Sequence, residues 1–364
     1  MDARDRPNPP DAEPLSGWPE PIGVRVRDVG EIAAALPYLL GFRPEESVLL
    51  LGLGGASGRR VGLTVRADIP PPEHDRELAT VLARSLFTDR PEGALVLVVS
   101  EAPDEEIAGE RHLPHHDLVR EMCRALSRLA VPVGDVVLVR DGRSWSYDCP
   151  DHCCAPGEGT PLPAGVTELA VAAIATGTVV AGAREDLVAR IAPPAADRDT
   201  MAATCTRVAG ECSAAVLDAG RTAVAEESWA AVTAAVARCR PGAPADRLTD
   251  AEVARVVCGL RDGEVRDRAF GLSLGAEPAA AEQLWTECTR RAPAPLDAVP
   301  ATLLAVSAWL RGDGAMANIA LARAVDSDPG YAFARLLSDA LAACLTPSDL
   351  RALLVEAGPT PPVR

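Results

Sequence analysis

The chain is 364 residues long with 48% hydrophobic residues, enough for more than one core, and its formal net charge is −16. Such an acidic body repels nucleic-acid backbones and anionic lipid surfaces, so neither is expected as a partner. All 36 basic residues are arginine, which excludes Schiff-base chemistry, a pyridoxal phosphate anchor and a P-loop lysine.

Residues 1–21 are charged and hold six prolines, the composition of a disordered tail and not of a signal peptide. The longest apolar stretch, 169–183, is broken by Thr and Gly and is too short to span a bilayer. A cytoplasmic protein is expected, with its ten cysteines mostly reduced core residues. Residues 29–40 have helical apolar spacing and end at Gly41. The unbroken run 48–53 reads as a strand buried on both faces, at the centre of a layered core. The glycine-rich GLGGASGR then leads to a second strand, 60–67. Its first seven residues, 52–58, lack the GxGxxG and Walker spacings and are read as a hairpin turn instead of a phosphate loop.

An amphipathic helix is expected at 73–87, a strand at 94–99, an acidic loop, a helix at 117–129 and a strand at 133–139. Asp141-Gly142 signals a tight turn into a strand at 143–147. The order predicts an α/β domain over 22–155, a mixed sheet flanked by helices. The Pro/Gly-rich 156–166 reads as a linker, followed by an all-α domain over 167–356 and a frayed tail over 357–364. Its helices are expected at 168–191, 199–219, 222–240, 249–260, 278–290, 298–311, 315–326, 329–344 and 347–356. Thr249 with Glu252 forms a capping box, and Thr346-Pro347 and Asp328-Pro329 place a cap before a proline at the first helical position. Ala317, Leu321, Ala324 and Pro329 have the spacing of a tetratricopeptide second helix, without a second copy at the period of about 34 residues.

Candidate chemistry centres on Cys149, His152, Cys153 and Cys154 in WSYDCPDHCCAPG. Three thiols and an imidazole suit zinc, yet the C-x₃-C-C spacing departs from paired C-x₂-C units and calls for a further ligand, with His112, His115 and His116 as donors to consider. A redox pairing of Cys149 with Cys153 or Cys154 is the alternative, although Asp148 and Asp151 disfavour a reactive thiolate. Thiols packed between hairpin and helix are the plainer reading, and no cofactor is expected beyond that zinc. The 112–117 segment HLPHHD reads as a solvated loop at a helix start, because Pro114 interrupts helical presentation of the histidines. Arg66 and Asp68, on one face at a strand end, are candidate ligand contacts together with Trp145, the other reading of the first two being a structural ion pair. Cys205 and Cys212 share a helix face and are expected in the core.

The blocks LPYLLGFRPEESVLLLGL (36–53), VRADIP (65–70), WSYDCPDHCCAPGEGTPL (145–162) and AWLRGDGAMANIALARAVDSDPGYAFARLL (308–337) resemble an actinobacterial family known only as domain of unknown function 4192. The resemblance implies an actinobacterial cytoplasmic protein and no activity. It also implies that the Cys149, Cys153, Cys154 pattern recurs in the family and that the three histidines do not belong to it. Two functions are therefore expected as rivals. The first is a non-enzymatic interaction or scaffold protein that binds a protein partner through its last hairpins, with Trp309 and Tyr331 at the surface. The second is a metal- or thiol-dependent enzyme or sensor using the cysteine cluster.

Overall fold

In the computed structural model, the structure describes residues 29–54, 60–107, 109–149, 154, 157–165, 168, 171, 180–194, 198–240 and 248–357. The N-terminal half is a mixed six-stranded sheet in the order β2-β1-β3-β6-β7-β8. Its strands are β1 (Ser47–Gly54), β2 (Arg60–Asp68), β3 (Gly93–Val99), β6 (Val133–Arg140), β7 (Arg143–Ser146) and β8 (Thr160–Pro161). β3 and β6 are parallel and joined through α3 (His116–Arg128), and every other pair is antiparallel. The expected hairpin turn at 55–59 lies outside the described residues, but its two strands pair as anticipated, with Leu51 opposite Thr64.

Strand periodicity divides the apolar runs between two cores. Val48, Leu50, Val96, Val98, Val136 and Leu138 face α2 (Asp75–Phe87) and α3. Leu49, Leu51, Leu95 and Leu97 face the other way, onto Ile32 and Leu36 of α1 (Val29–Leu40). Gly41 ends α1 in the left-handed region at φ 76°, the backbone that glycine adopts at a helix C-terminus without steric cost. Asp141 and Gly142 are both left-handed, at φ 46° and 67°, and make a two-residue turn of the primed kind.

Several expectations need correction. The acidic loop contains a second small sheet, β4 (Glu105–Ile107) against β5 (Glu110–His112). The stretch read as a linker supplies β8. The helix expected at 168–191 does not run through, because Ala181 forms a parallel bridge with Phe42 and α4 (Arg184–Ile191) begins only afterwards. Backbone bonds Arg43 N to Ala181 O (3.2 Å) and Ala181 N to Gly41 O (2.8 Å) tie the two halves together there.

The C-terminal half is helical among the described residues apart from that bridge. It contains α5 (Arg198–Ala219), α6 (Arg221–Arg238), α7 (Asp250–Gly259), α8 (Gly263–Leu272), α9 (Pro278–Arg291), α10 (Ala298–Leu310), α11 (Gly314–Ser327), α12 (Ala332–Ala342) and α13 (Pro347–Ala357). α8 had no counterpart in the sequence reading. The expected caps form at two of three places. Glu252 N donates to Thr249 Oγ1 at 3.3 Å while Thr249 N donates to Glu252 Oε2 at 2.7 Å, and Asp349 N donates to Thr346 Oγ1 at 3.1 Å. At the third, Asp328 Oδ1 instead accepts from Gly330 N at 2.9 Å, a side-chain turn that delays α12 to Ala332. α10 is buried around nearly its whole circumference, as the central helix of a bundle must be. No helix among the described residues is long and apolar enough to cross a membrane.

Candidate functional site

Polar side chains converge at the sheet edge where the parallel pair β3 and β6 ends. In mixed and parallel sheets this carboxyl edge is the usual place for a ligand, since the strands end there in loops whose side chains are not committed to the core. The β1–β3 register sets Ser47 opposite Val99, which brings Glu46 beside Ser100, the residue after β3. Ser100 is only 1% exposed. Its Oγ lies 2.8 Å from Glu46 Oε2 and 2.9 Å from His115 Nε2, and it accepts from Ala102 N at 3.1 Å. The other Glu46 oxygen accepts from Glu101 N at 2.8 Å. His115 stands just before α3, and its own backbone N–H is held by Glu105 Oε1 at 2.8 Å.

The protons in this network follow from valence. A hydroxyl has one hydrogen, and an ionised carboxylate can only accept. The Ser100 hydrogen therefore goes to Glu46, His115 Nε2 must carry the hydrogen that points at Ser100, and Nδ1 keeps its lone pair. Burial holds the His115 pKa below the usual imidazole value, against the opposing pull of the Glu46 and Glu105 charges. Glu46 and His115 both adopt positive φ, 37° and 60°, although neither is glycine. Such residues persist only where surrounding contacts over-determine them, and they concentrate at functional sites.

An ion pair closes one flank. Arg140 at the end of β6 lies 3.0 Å from Asp104, each side chain being 14% exposed, and donates to Ala102 O at 2.9 Å. The Glu105 charge also acts on Asp75, the first residue of α2. The Asp75 carboxyl is pushed up to about 6 by burial and then by the charges of Asp117, Glu121, Glu105 and Glu73. Tyr147 donates to Pro114 O at 2.7 Å, bracing the loop before His115, and burial drives its pKa upward.

Arg66 and Asp68 form the structural ion pair, at 2.6 Å. Arg66 also donates to Ser47 Oγ at 2.7 Å and lies over the Phe42 ring, so its guanidinium is committed to the fold. Trp145 is buried, with the Arg140 guanidinium 4.8 Å from the ring centroid, and is no open platform for a ligand. Gly159 also packs against it, and a Cβ there would come within 2.3 Å of the ring.

Of the cysteine cluster, His152 and Cys153 lie outside the described residues. Cys149 is half-buried, and Cys154 Sγ accepts from Ser146 N at 3.3 Å. Among the described residues no group of three or more His, Cys, Asp or Glu could hold a metal ion. Burial raises the pKa of Cys123, Cys205, Cys212, Cys239, Cys258 and Cys288, which makes them poor thiolates. Cys205 is in the core and Cys212 packs against it, as expected.

Trp309 is not at the surface, and Tyr331 is only partly so. Trp309 is buried and its Nε1 donates to Leu345 O at 3.2 Å. Tyr331 is half-buried beside Ala301, Ala324 and Ala334. The His112 and His116 rings lie 5.5 Å apart between centroids at a tilt of 58°, whereas His115, expected in a solvated loop with them, turns inward to Ser100. Glu46, Ser100 and Glu105 were not anticipated. A serine closing the apolar run ALVLVV and opening an acidic loop was the available signal, because that is where a buried strand delivers polar groups to a sheet edge.

Fold and site together give a mixed sheet with a charged carboxyl edge in the N-terminal half, followed by helices in the C-terminal half. The chain belongs to the family described as domain of unknown function DUF4192, whose family model matches residues 30–348. No curated protein and no solved structure matches it.

Proposed function

We propose that the α/β domain is the working part of the chain, an acid–base site for a small polar ligand in which His115 accepts a proton. Glu46 and Ser100 fix its tautomer, and Glu105 fixes its backbone. The observation that carries this reading is the placement of Ser100 Oγ between Glu46 Oε2 at 2.8 Å and His115 Nε2 at 2.9 Å. That arrangement leaves Nδ1 as a base kept neutral by burial, the state a proton acceptor needs near neutral pH. Ser100 has the role of positioning residue, since it is buried and its hydroxyl hydrogen is committed to Glu46.

Long-range ¹⁵N–¹H NMR of the histidine rings tests the arrangement. The expected result is an Nε2–H tautomer for His115 that is lost in Ser100→Ala. A metabolite screen read on the same resonances tests the function. Binding compounds should shift the His115 ring in the wild type and fail to bind His115→Gln. An Nδ1–H tautomer, or ligands that bind without touching His115, refutes the reading.

The protein-partner reading is supported by one different observation, the exposed apolar side chains Leu336 on α12 and Leu353 and Val355 on α13, at 62%, 53% and 57%. Leu353→Asp with Val355→Asp should then abolish retention of the partner while the helical content stays unchanged. If the partner is retained by that variant, the reading falls.

A further inference from the structure

The helical C-terminal half holds a cavity lined by none of the sheet-edge residues described above. The cavity, of about 520 Å³, opens between the first turn of α5, the start of α7, the end of α9 and α11. That volume is within the usual range for small-molecule sites, about 300–1,000 Å³. Four arginines line it, Arg198, Arg290, Arg291 and Arg323, with Asp199 and Asp250 as the acidic lining residues. Four guanidiniums around one cavity stand out in a chain of net charge −16.

Three of the four are held in place by the protein. Arg323 donates through Nε to Asp297 Oδ2 at 2.7 Å, and Asp297 is fully buried. Arg291 donates through Nη1 to Leu248 O at 2.6 Å and through Nη2 to Asp250 Oδ1 at 2.5 Å. Arg290 donates through Nη2 to both Glu287 oxygens at 3.1 Å. These contacts fix the guanidiniums but do not use them up, because each carries five N–H donors. Arg198 has no carboxylate partner among the described residues, and its one hydrogen bond runs to Pro193 O at 3.5 Å. The remaining wall includes Met201, Leu248 and Pro293, an apolar surface beside the guanidinium group.

The structure assigns to this cavity a small organic oxyanion, a phosphate or carboxylate head group on an apolar body. Pre-positioned planar guanidiniums recognise such heads through paired N–H bonds, more strongly than neutral donors do. The first-turn residues of α5 also turn the positive end of that helix toward the cavity, which adds to the attraction. The apolar wall and the volume call for more than a bare inorganic ion.

Calorimetric titration of the full chain with phenyl phosphate, phenylacetate, inorganic phosphate and the neutral benzyl alcohol tests the assignment. At least one of the two aromatic anions should bind saturably below about 1 mM, inorganic phosphate more weakly, and benzyl alcohol not at all. Which aromatic anion wins identifies the head group. Arg198→Gln with Arg290→Gln should weaken that binding by about ten-fold or more. These two can be changed without stranding a buried charge, since Glu287 keeps Arg291 at 3.8 Å. Arg221→Gln, which removes an exposed ion pair to Asp262, should leave binding unchanged, and circular dichroism of both variants checks the fold. Equal binding of benzyl alcohol, no saturable binding of either aromatic anion, or full affinity in the double variant overturns the assignment.

Discussion

Asp75→Asn tests the electrostatics of the sheet edge in a single substitution. Asp75 opens α2 at 8% exposure, and its pKa is raised from 3.8 to about 6 by burial first and by four neighbouring carboxylates after it. A group whose folded pKa lies above its unfolded value supports the fold while protonated. Its contribution is present below pH 3.8 and is lost as the pH rises through about 6. Above that range the ionised carboxylate opposes folding by the full shift, nominally ~3 kcal/mol at about 1.4 kcal/mol per pH unit. Solvent screening of the surrounding surface charges reduces this to about 1–2 kcal/mol. Asparagine keeps the shape and suits a helix start, so the variant should gain about 1–2 kcal/mol at about pH 8 and almost nothing at about pH 4. Urea unfolding followed by circular dichroism at both pH values, with unchanged slopes, measures the difference. An equal effect at the two pH values, or a loss of stability at the higher one, refutes the argument.

Ser100→Ala strands the His115 Nε2–H and the Ala102 N–H without their acceptor, and should cost about 2–3 kcal/mol in the same unfolding assay. His115→Gln addresses pH. The folded His115 pKa lies below 6.5, so its contribution is fully present above that pH and is lost as the pH falls toward the folded value. The variant should therefore remove a rise of stability with pH below 6.5, opposite in sign to the fall that Asp75→Asn removes between 3.8 and about 6. Gly159→Ala should destabilise by about 1 kcal/mol or more, because its backbone is left-handed at φ 67° and the added methyl meets Trp145, and quenching of the Trp145 emission should change with it.

The apolar runs were legible because a strand buried on both faces needs no partner to be recognised, and the 48–53 run shows this. The alternation of its side chains between two cores was written in the same residues. What could not be read was the pairing of β1 with β3. Glu46 and Ser100 are 54 positions apart, and only the Ser47–Val99 register joins them. His115 was visible as the start of α3, yet its burial depends on the strand end it meets and not on anything within 112–117. The three-residue strands β4 and β5 escaped for a related reason, since runs that short carry no periodicity to detect.

Trp309 is the opposite case, where the sequence held the answer and residue type was given too much weight. An aromatic near the end of a helix invites a surface role because tryptophan is enriched at interfaces. The helix in question reads AVPATLLAVSAWL, apolar at almost every position, and a helix without a polar face has no side to offer to solvent or to a partner. Its alanines let the flanking helices approach, and Trp309 fills the space at the end of that packing with its indole N–H tied to Leu345. Trp309→Ala should accordingly cost about 3–5 kcal/mol of stability, as an emptied core position does. A variant that keeps its unfolding midpoint and loses only a binding partner would show that the burial argument is wrong. The circumference of a helix, and not its most conspicuous residue, decides which side chains are free to bind.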